Sequence, residues 1–123
     1  MELAALHQEI IDAISQGDFV GPIDKFYADD VLAYTNDAPP AKGREAISAA
    51  ESKYVEGVTA FHGVEVFATA VDDQGDGNGT VFYETRMRWA HQDRPEVDVR
   101  QAVVERWSGG KISEIRFYGD IEM

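Results

Sequence analysis

Residues 97–118 read Val97-Asp98-Val99-Arg100-Gln101-Ala102-Val103-Val104-Glu105-Arg106-Trp107-Ser108-Gly109-Gly110-Lys111-Ile112-Ser113-Glu114-Ile115-Arg116-Phe117-Tyr118. Two β-branched and aromatic runs flank a glycine pair, a pattern that predicts strands near 97–108 and 111–118 joined by a tight hairpin. Upstream, the stretches near 59–71 and 80–91 have the same character. They are separated by Asp72-Asp73-Gln74-Gly75-Asp76-Gly77-Asn78-Gly79 and by Asp93-Arg94-Pro95-Glu96, each short enough for an antiparallel connection. The C-terminal half is therefore expected to be a meander.

The N-terminal half has helical spacing. Leu3, Leu6, Ile10, Ile11 and Ile14 mark one apolar face, and Gly17 stands where a glycine stops a helix. Asp18 is placed to cap a second, short helix with Phe19, Ile23, Phe26 and Tyr27 on its apolar face, Pro22 near its first turn and its end at Asp29-Asp30. Val31-Leu32-Ala33-Tyr34-Thr35 reads as a short strand that Asn36-Asp37-Ala38-Pro39-Pro40 breaks. From Gly43 a third helix is expected, with Ile47, Ala50 and Tyr54 as its stripe. Helices first and strands later indicate one α+β domain over residues 1–123, its curved antiparallel sheet wrapped over three helices.

Composition narrows the function classes. A chain of 123 residues with 44% hydrophobic residues buries enough surface to fold as one unit without staples, and the lack of cysteine removes disulfide and thiolate chemistry. The formal charge of −12 repels phosphate backbones and anionic headgroups, so neither nucleic acid nor a membrane is an expected partner. Residues 1–80 hold 15 acids to 4 bases, and residues 81–123 hold 8 to 7. The arginines at 86, 88, 94, 100, 106 and 116 fall at strand spacing, and either pair across strands or line an anion site. No basic, apolar leader opens the sequence, so a cytoplasmic location is expected. His7 and His91 read as surface residues, and His62 as a packed or dimer-contact residue. No two histidines have metal-site spacing, so no metal is expected. Asp72, Gln74, Asp76 and Gly77 partly imitate a calcium loop, but position twelve is Tyr83, which makes the segment a solvated hairpin turn.

Ser15-Gln16-Gly17-Asp18, Phe26-Tyr27-Ala28-Asp29-Asp30-Val31, Gly43-Arg44-Glu45-Ala46-Ile47, Gly110-Lys111-Ile112 and Phe117-Tyr118-Gly119-Asp120 lie in an order and spacing that resembles SnoaL-like and ketosteroid-isomerase-like members of the nuclear transport factor 2 superfamily. The resemblance implies a conical α+β barrel enclosing a small-molecule cavity, often in a homodimer formed through the sheet. It does not carry over the isomerase chemistry. The oxyanion-hole tyrosine falls on Ile10, the proton-shuttling aspartate near Thr35 and the protonated aspartate on Val103. Asp37 is a replacement base only if the Pro39-Pro40 loop folds inward. Asp120 is the nearest match to the C-terminal acid of SnoaL-like cyclases.

Anchoring the last hairpin on Gly109-Gly110-Lys111 puts Gln101, Val103, Glu105 and Trp107 on the cavity face. A carboxylate between Val103 and Trp107 is desolvated, which favours its neutral form and suits a general acid or base. Two registers of the preceding hairpin are open. A turn at Arg94-Pro95 sets Glu84 opposite Glu105, with Arg86 opposite Val103. A loop one residue longer turns Tyr83, Thr85, Met87 and Trp89 inward and leaves Glu84 to meet Arg106 outside. Glu105 is inside in both, either as an acid/base group or as a hydrogen-bonded structural carboxylate.

Two functions follow. One is a cofactor-independent isomerase or cyclase acting on a small hydrophobic molecule, with Glu105, Glu84 and Asp120 as its acids and bases. Trp107, Gln101, Val103, Arg86, Tyr83, Thr35 and Phe117 would then surround the substrate. The other is a non-catalytic ligand-binding or dimeric domain whose exposed sheet face, with Met87 or Trp89, joins subunits.

Overall fold

The structure, a computed structural model, describes residues 2–120. Helix α1 (Leu3–Ser15) buries Leu3, His7, Ile10 and Ile14, one stripe at steps of three and four. It stops at Gly17, whose φ of +85° lets the Asp18 N–H reach the Ala13 carbonyl (2.9 Å) and the Gly17 N–H that of Ile14 (3.0 Å). The Asp18 carboxylate then accepts the Gly21 N–H (2.8 Å), opening α2 (Gly21–Phe26), with Pro22 in its first turn where no N–H is needed.

Tyr27 leaves the helix that its neighbours form. It is extended and begins β1 (Tyr27–Thr35), which also takes in Asp29 and Asp30, so the sheet claims four residues read from the sequence as helix. A short β2 (Ala41–Lys42) follows the double-proline turn, and Asp37 stays exposed there. Helix α3 (Arg44–Val55) buries no residue completely; Ile47 is half-buried, and Ala50 and Tyr54 are exposed.

Four long strands complete the fold: β3 (Val58–Gly75), β4 (Asn78–His91), β5 (Arg94–Ser108) and β6 (Lys111–Gly119). The sheet order is β2-β1-β6-β5-β4-β3, curved and unclosed, with helices packed against its concave side. One pairing departs from the expected antiparallel sheet, because β1 runs parallel to β6, with Ala33 beside Ile115. The β3–β4 turn is Asp76-Gly77, with φ of +57° and +76°, so the acidic segment forms a hairpin with two left-handed residues.

The β4–β5 register differs from both alternatives open in the sequence. His91 pairs with Arg94, so Gln92-Asp93 is the turn, and Pro95 lies inside β5. Proline is tolerated there because β6 pairs with β5 only from Gln101 onward. The turn is held by the Gln92 N–H to the Gly57 carbonyl (2.8 Å) and the Asp93 N–H to His91 Nδ1 (3.1 Å). Tyr83 consequently faces Val103, Val81 faces Glu105 and Glu84 faces Ala102. The odd-numbered residues of β4 point inward, and the opposition of Glu84 to Glu105 does not occur. The core gathers on this side: Val31, Val81, Val103, Ile112 and Ile115 are buried beneath Leu3, Ile10, Ile14, Ile23 and Phe26. Each such side chain contributes about 1.5–3 kcal/mol of transfer free energy.

Candidate functional site

Glu105 is completely buried on the concave face, and its environment comes from three elements. Its Oε1 accepts a hydrogen bond from Trp107 Nε1 (3.1 Å), two residues along β5, and one from His7 Nδ1 (2.9 Å) on α1. With the carboxylate ionised, His7 carries its proton on Nδ1. The His7 ring packs against Tyr83, with centroids 4.5 Å apart. Glu105 Oε2, His7 Nε2 and Thr85 Oγ1 are buried and make no hydrogen bond of regular geometry among the described residues, while the Tyr83 hydroxyl lies close enough to Glu105 for a longer hydrogen bond to help raise its phenol. A carboxylate with regular hydrogen bonds at one oxygen and none at the other is oriented yet chemically unspent.

Glu105 lines a cavity of about 370 Å³, within the usual range for small-molecule sites. The helices supply Ile10, Ile14 and Ile23 to its wall, the α1–α2 loop supplies Phe19, and the strands supply Met87, Trp89, Val97, Val99, Ile115 and Phe117. Its polar groups are few. Tyr27 and Tyr83 face it, and burial raises both phenols above their ordinary values, Glu105 adding to the effect at each. Both hydroxyls therefore stay protonated and able to donate. Glu51 reaches the cavity from α3, and burial raises its carboxyl above the usual value. It also raises Tyr27, so two carboxylates act on one phenol. Gln101 and Arg94 complete the polar lining.

The structure sorts the residues anticipated from sequence into three groups. Glu105, Tyr83, Gln101 and Phe117 line the cavity. Trp107 and Val103 are buried on the same face, Trp107 as a donor to Glu105. The remaining four stand away from it. Glu84 is on the outer face beside Arg100 (3.5 Å) and Arg86 makes a two-pronged pair with Asp98 (2.9 and 2.6 Å), because the Gln92-Asp93 turn sends even-numbered β4 residues outward. Thr35 is half-buried beside Phe117 of β6, and Asp120 is exposed just beyond that strand. Arg88 meets Glu65 and Arg106 meets Glu114 across strands, and Arg116 meets Glu114 along β6.

Two histidines and one acid of the site region escaped the sequence reading. His7 is buried, not exposed, and its position four residues after Leu3 and three before Ile10 was the available signal. His91 is also buried: Nε2 meets the Tyr54 carbonyl (3.0 Å), and its ring stacks on Tyr54 at 4.4 Å. His62 is exposed. Met87 and Trp89 line the cavity, as the longer-loop register would have them and against their use on an exposed subunit-joining face. Glu51 had no signal, since α3 reads as a polar helix. Among the described residues no cluster of three metal-type donors occurs, and no helix is long and apolar enough to cross a membrane.

No known family profile matches the chain, and no curated protein matches it in sequence. Solved structures do resemble it. A provisionally named SnoaL-like polyketide cyclase from Mesorhizobium loti is 22% identical over 96% of this chain and 99% of its own, with a TM-score of 0.69. A nuclear transport factor 2-like protein of unknown function from Cytophaga hutchinsonii is 17% identical over 93% and 96%, with a TM-score of 0.63. A provisionally named isomerase from Bacillus subtilis is 14% identical over 94% and 84%, with a TM-score of 0.70. At these identities the likeness is one of fold, and chemistry has to be argued from the site.

Proposed function

The chain has the nuclear transport factor 2-like fold, and on that scaffold we propose a cofactor-independent acid/base enzyme, isomerase-like or cyclase-like, that acts on a small hydrophobic molecule with Glu105 as its proton-transfer group. The observation that carries this reading is the divided Glu105 carboxylate: one oxygen holds two donors, and the other makes no hydrogen bond of regular geometry in an apolar cavity, with the Tyr83 hydroxyl nearby. In the proposed step Oε2 removes a proton from carbon next to a carbonyl. The C–H bond breaks, its electron pair passes into an enolate, and a hydroxyl of Tyr27 donates to the oxygen that gains charge. The protonated Glu105 then returns the proton to a second carbon in an isomerisation; in a cyclisation the carbanion adds to a second carbonyl carbon of the same molecule, whose π electron pair passes to its oxygen, and that oxygen takes the proton from Glu105. His7 is a positioning residue that fixes which oxygen reacts.

The test uses the full chain and a panel of cyclic ketones in deuterated water, with exchange of the protons beside the carbonyl followed by NMR. Wild type should catalyse exchange for ketones that raise its melting temperature, and Glu105→Gln should lower that rate by roughly 100-fold or more while still binding them. Equal exchange by both proteins would remove Glu105 from the chemistry.

A second reading is a ligand-binding domain that assembles as a homodimer through the outer sheet face. It is favoured by Phe67, Phe82 and Tyr118, which stand more than 40% exposed, Phe82 on a strand whose other side is the core. Sedimentation of wild type and Phe82→Glu tests the pairing: a dimer that the substitution splits supports it, and a wild-type monomer ends it.

A further inference from the structure

One end of the cavity combines charge with aromatic surface. Glu51 and Tyr54 lie three residues apart on α3, on one helix face, and both line the cavity. Glu51 makes no hydrogen bond or ion pair among the described residues. Tyr54 is braced: its hydroxyl accepts from Trp89 Nε1 (2.7 Å), its ring lies perpendicular to Trp89 at 6.2 Å, and His91 stacks on it. Gly57 lets His91 sit there, since a Cβ at that position would fall 2.4 Å from His91 Nε2. The result is a rigid corner of two aromatic rings beside a carboxylate with no partner.

We propose that the cavity's occupant carries a cationic amine on a flat apolar body, the amine pairing with Glu51 against Tyr54 and Trp89. This rests on the reading that the cavity takes a small molecule, and it adds the chemical class. A carboxylate and aromatic rings lining one cavity attract an ammonium, the carboxylate through an ion pair and a ring through its quadrupole. Glu105, with its second oxygen fully buried in the same cavity, adds negative potential from the opposite wall. The chain's charge of −12 draws cations toward the protein. Arg94 also lines the cavity and is engaged by another group. Phe19, Phe61 and Met87 supply walls for the apolar body.

The test titrates the full-length chain at neutral pH with three matched probes, naphthylethylamine, naphthylethanol and naphthylacetate, by calorimetry. The amine should bind roughly ten-fold tighter than the alcohol, and the acid most weakly. Glu51→Gln should bring the amine to the level of the alcohol without changing the alcohol's affinity, and Glu105→Gln should keep most of the amine's advantage. Equal binding of amine and alcohol with no response to Glu51→Gln would overturn the amine assignment and leave the proton-transfer role of Glu105 standing. Tightest binding of the acid would overturn it in favour of Arg94 as the anchor. Failure of all three probes to bind would overturn it together with the small-molecule reading.

Discussion

His7 and Glu105 are separated by 98 residues in sequence and by 2.9 Å in space, Nδ1 to Oε1, and both are buried. The pair ties the first helix to the fifth strand at the floor of the cavity. A buried carboxylate that loses one of two donors keeps most of its desolvation cost without the compensation. We expect His7→Ala to destabilise the fold by about 3 kcal/mol. Glu105→Gln, which removes the charge and keeps the shape, should cost less than half of that. Urea denaturation of both variants and of the double variant checks this, and a His7→Ala midpoint equal to wild type would contradict it.

Glu51 has its carboxyl raised by burial, so in the folded chain it resists ionisation more than in the unfolded one. A raised acid favours the folded state below its unfolded value, and that contribution disappears as pH rises through the folded one. Glu51→Gln should therefore stabilise the protein at pH 7, by under about 1 kcal/mol given the group's partial exposure. The gain should shrink as pH falls through the raised folded value and be gone by the ordinary glutamate value. Melting temperatures across that range decide it; a loss of stability at pH 7 would be the contrary result.

Asp73 has the opposite sign. Its carboxylate accepts the Leu3 N–H (3.0 Å) and the Gly75 N–H (2.8 Å), and these bonds hold it below the usual aspartate range. A lowered acid contributes stability above its unfolded value, lost as pH falls through the folded one. Asp73→Ala should thus fray the start of α1 at neutral pH, read as faster amide exchange in its first turn. The difference from wild type should fade in acid.

Gly79 cannot carry a side chain where it lies. Its φ is +139°, and a Cβ would come within 2.0 Å of the Asp72 carbonyl oxygen and 2.7 Å of Leu3 Cδ1. Gly79→Ala should cost about 2 kcal/mol or more, because strain and a backbone clash add. Thermal denaturation tests it, and a loss below 0.5 kcal/mol, roughly the cost of an ordinary surface change, would be the failing result.

Much of this architecture is readable from local pattern. The α1 stripe, the Gly109-Gly110 turn and the inward side of Glu105 all depend on residues within a few positions of one another, where periodicity speaks directly. The β4–β5 turn does not. Pro95 suggests a turn at Arg94-Pro95, yet the chain reverses at Gln92-Asp93, where Gly57 and His91 hold it. One of those anchors is 35 residues away. That displacement decides the fate of Glu84 and Arg86, which the register sends outward. Glu51 was illegible for a related reason: what makes it part of the site is the concave sheet opposite α3, and nothing within α3 reports that. His7 was legible and misread, since spacing placed it on the apolar stripe and residue type argued for solvent.

The parallel seam between β1 and β6 has a kinetic corollary. Among the described residues, apart from the two-residue β2, β1 finds its only sheet neighbour in residues 112–117, more than 80 positions downstream. During synthesis at about 5–20 residues per second, the N-terminal segment waits roughly 4–16 s before that neighbour exists. For that interval Val31 and its apolar neighbours have only α2, α3 and the short β2 to pack against, which makes the nascent chain, rather than the finished one, the form most in need of chaperone protection.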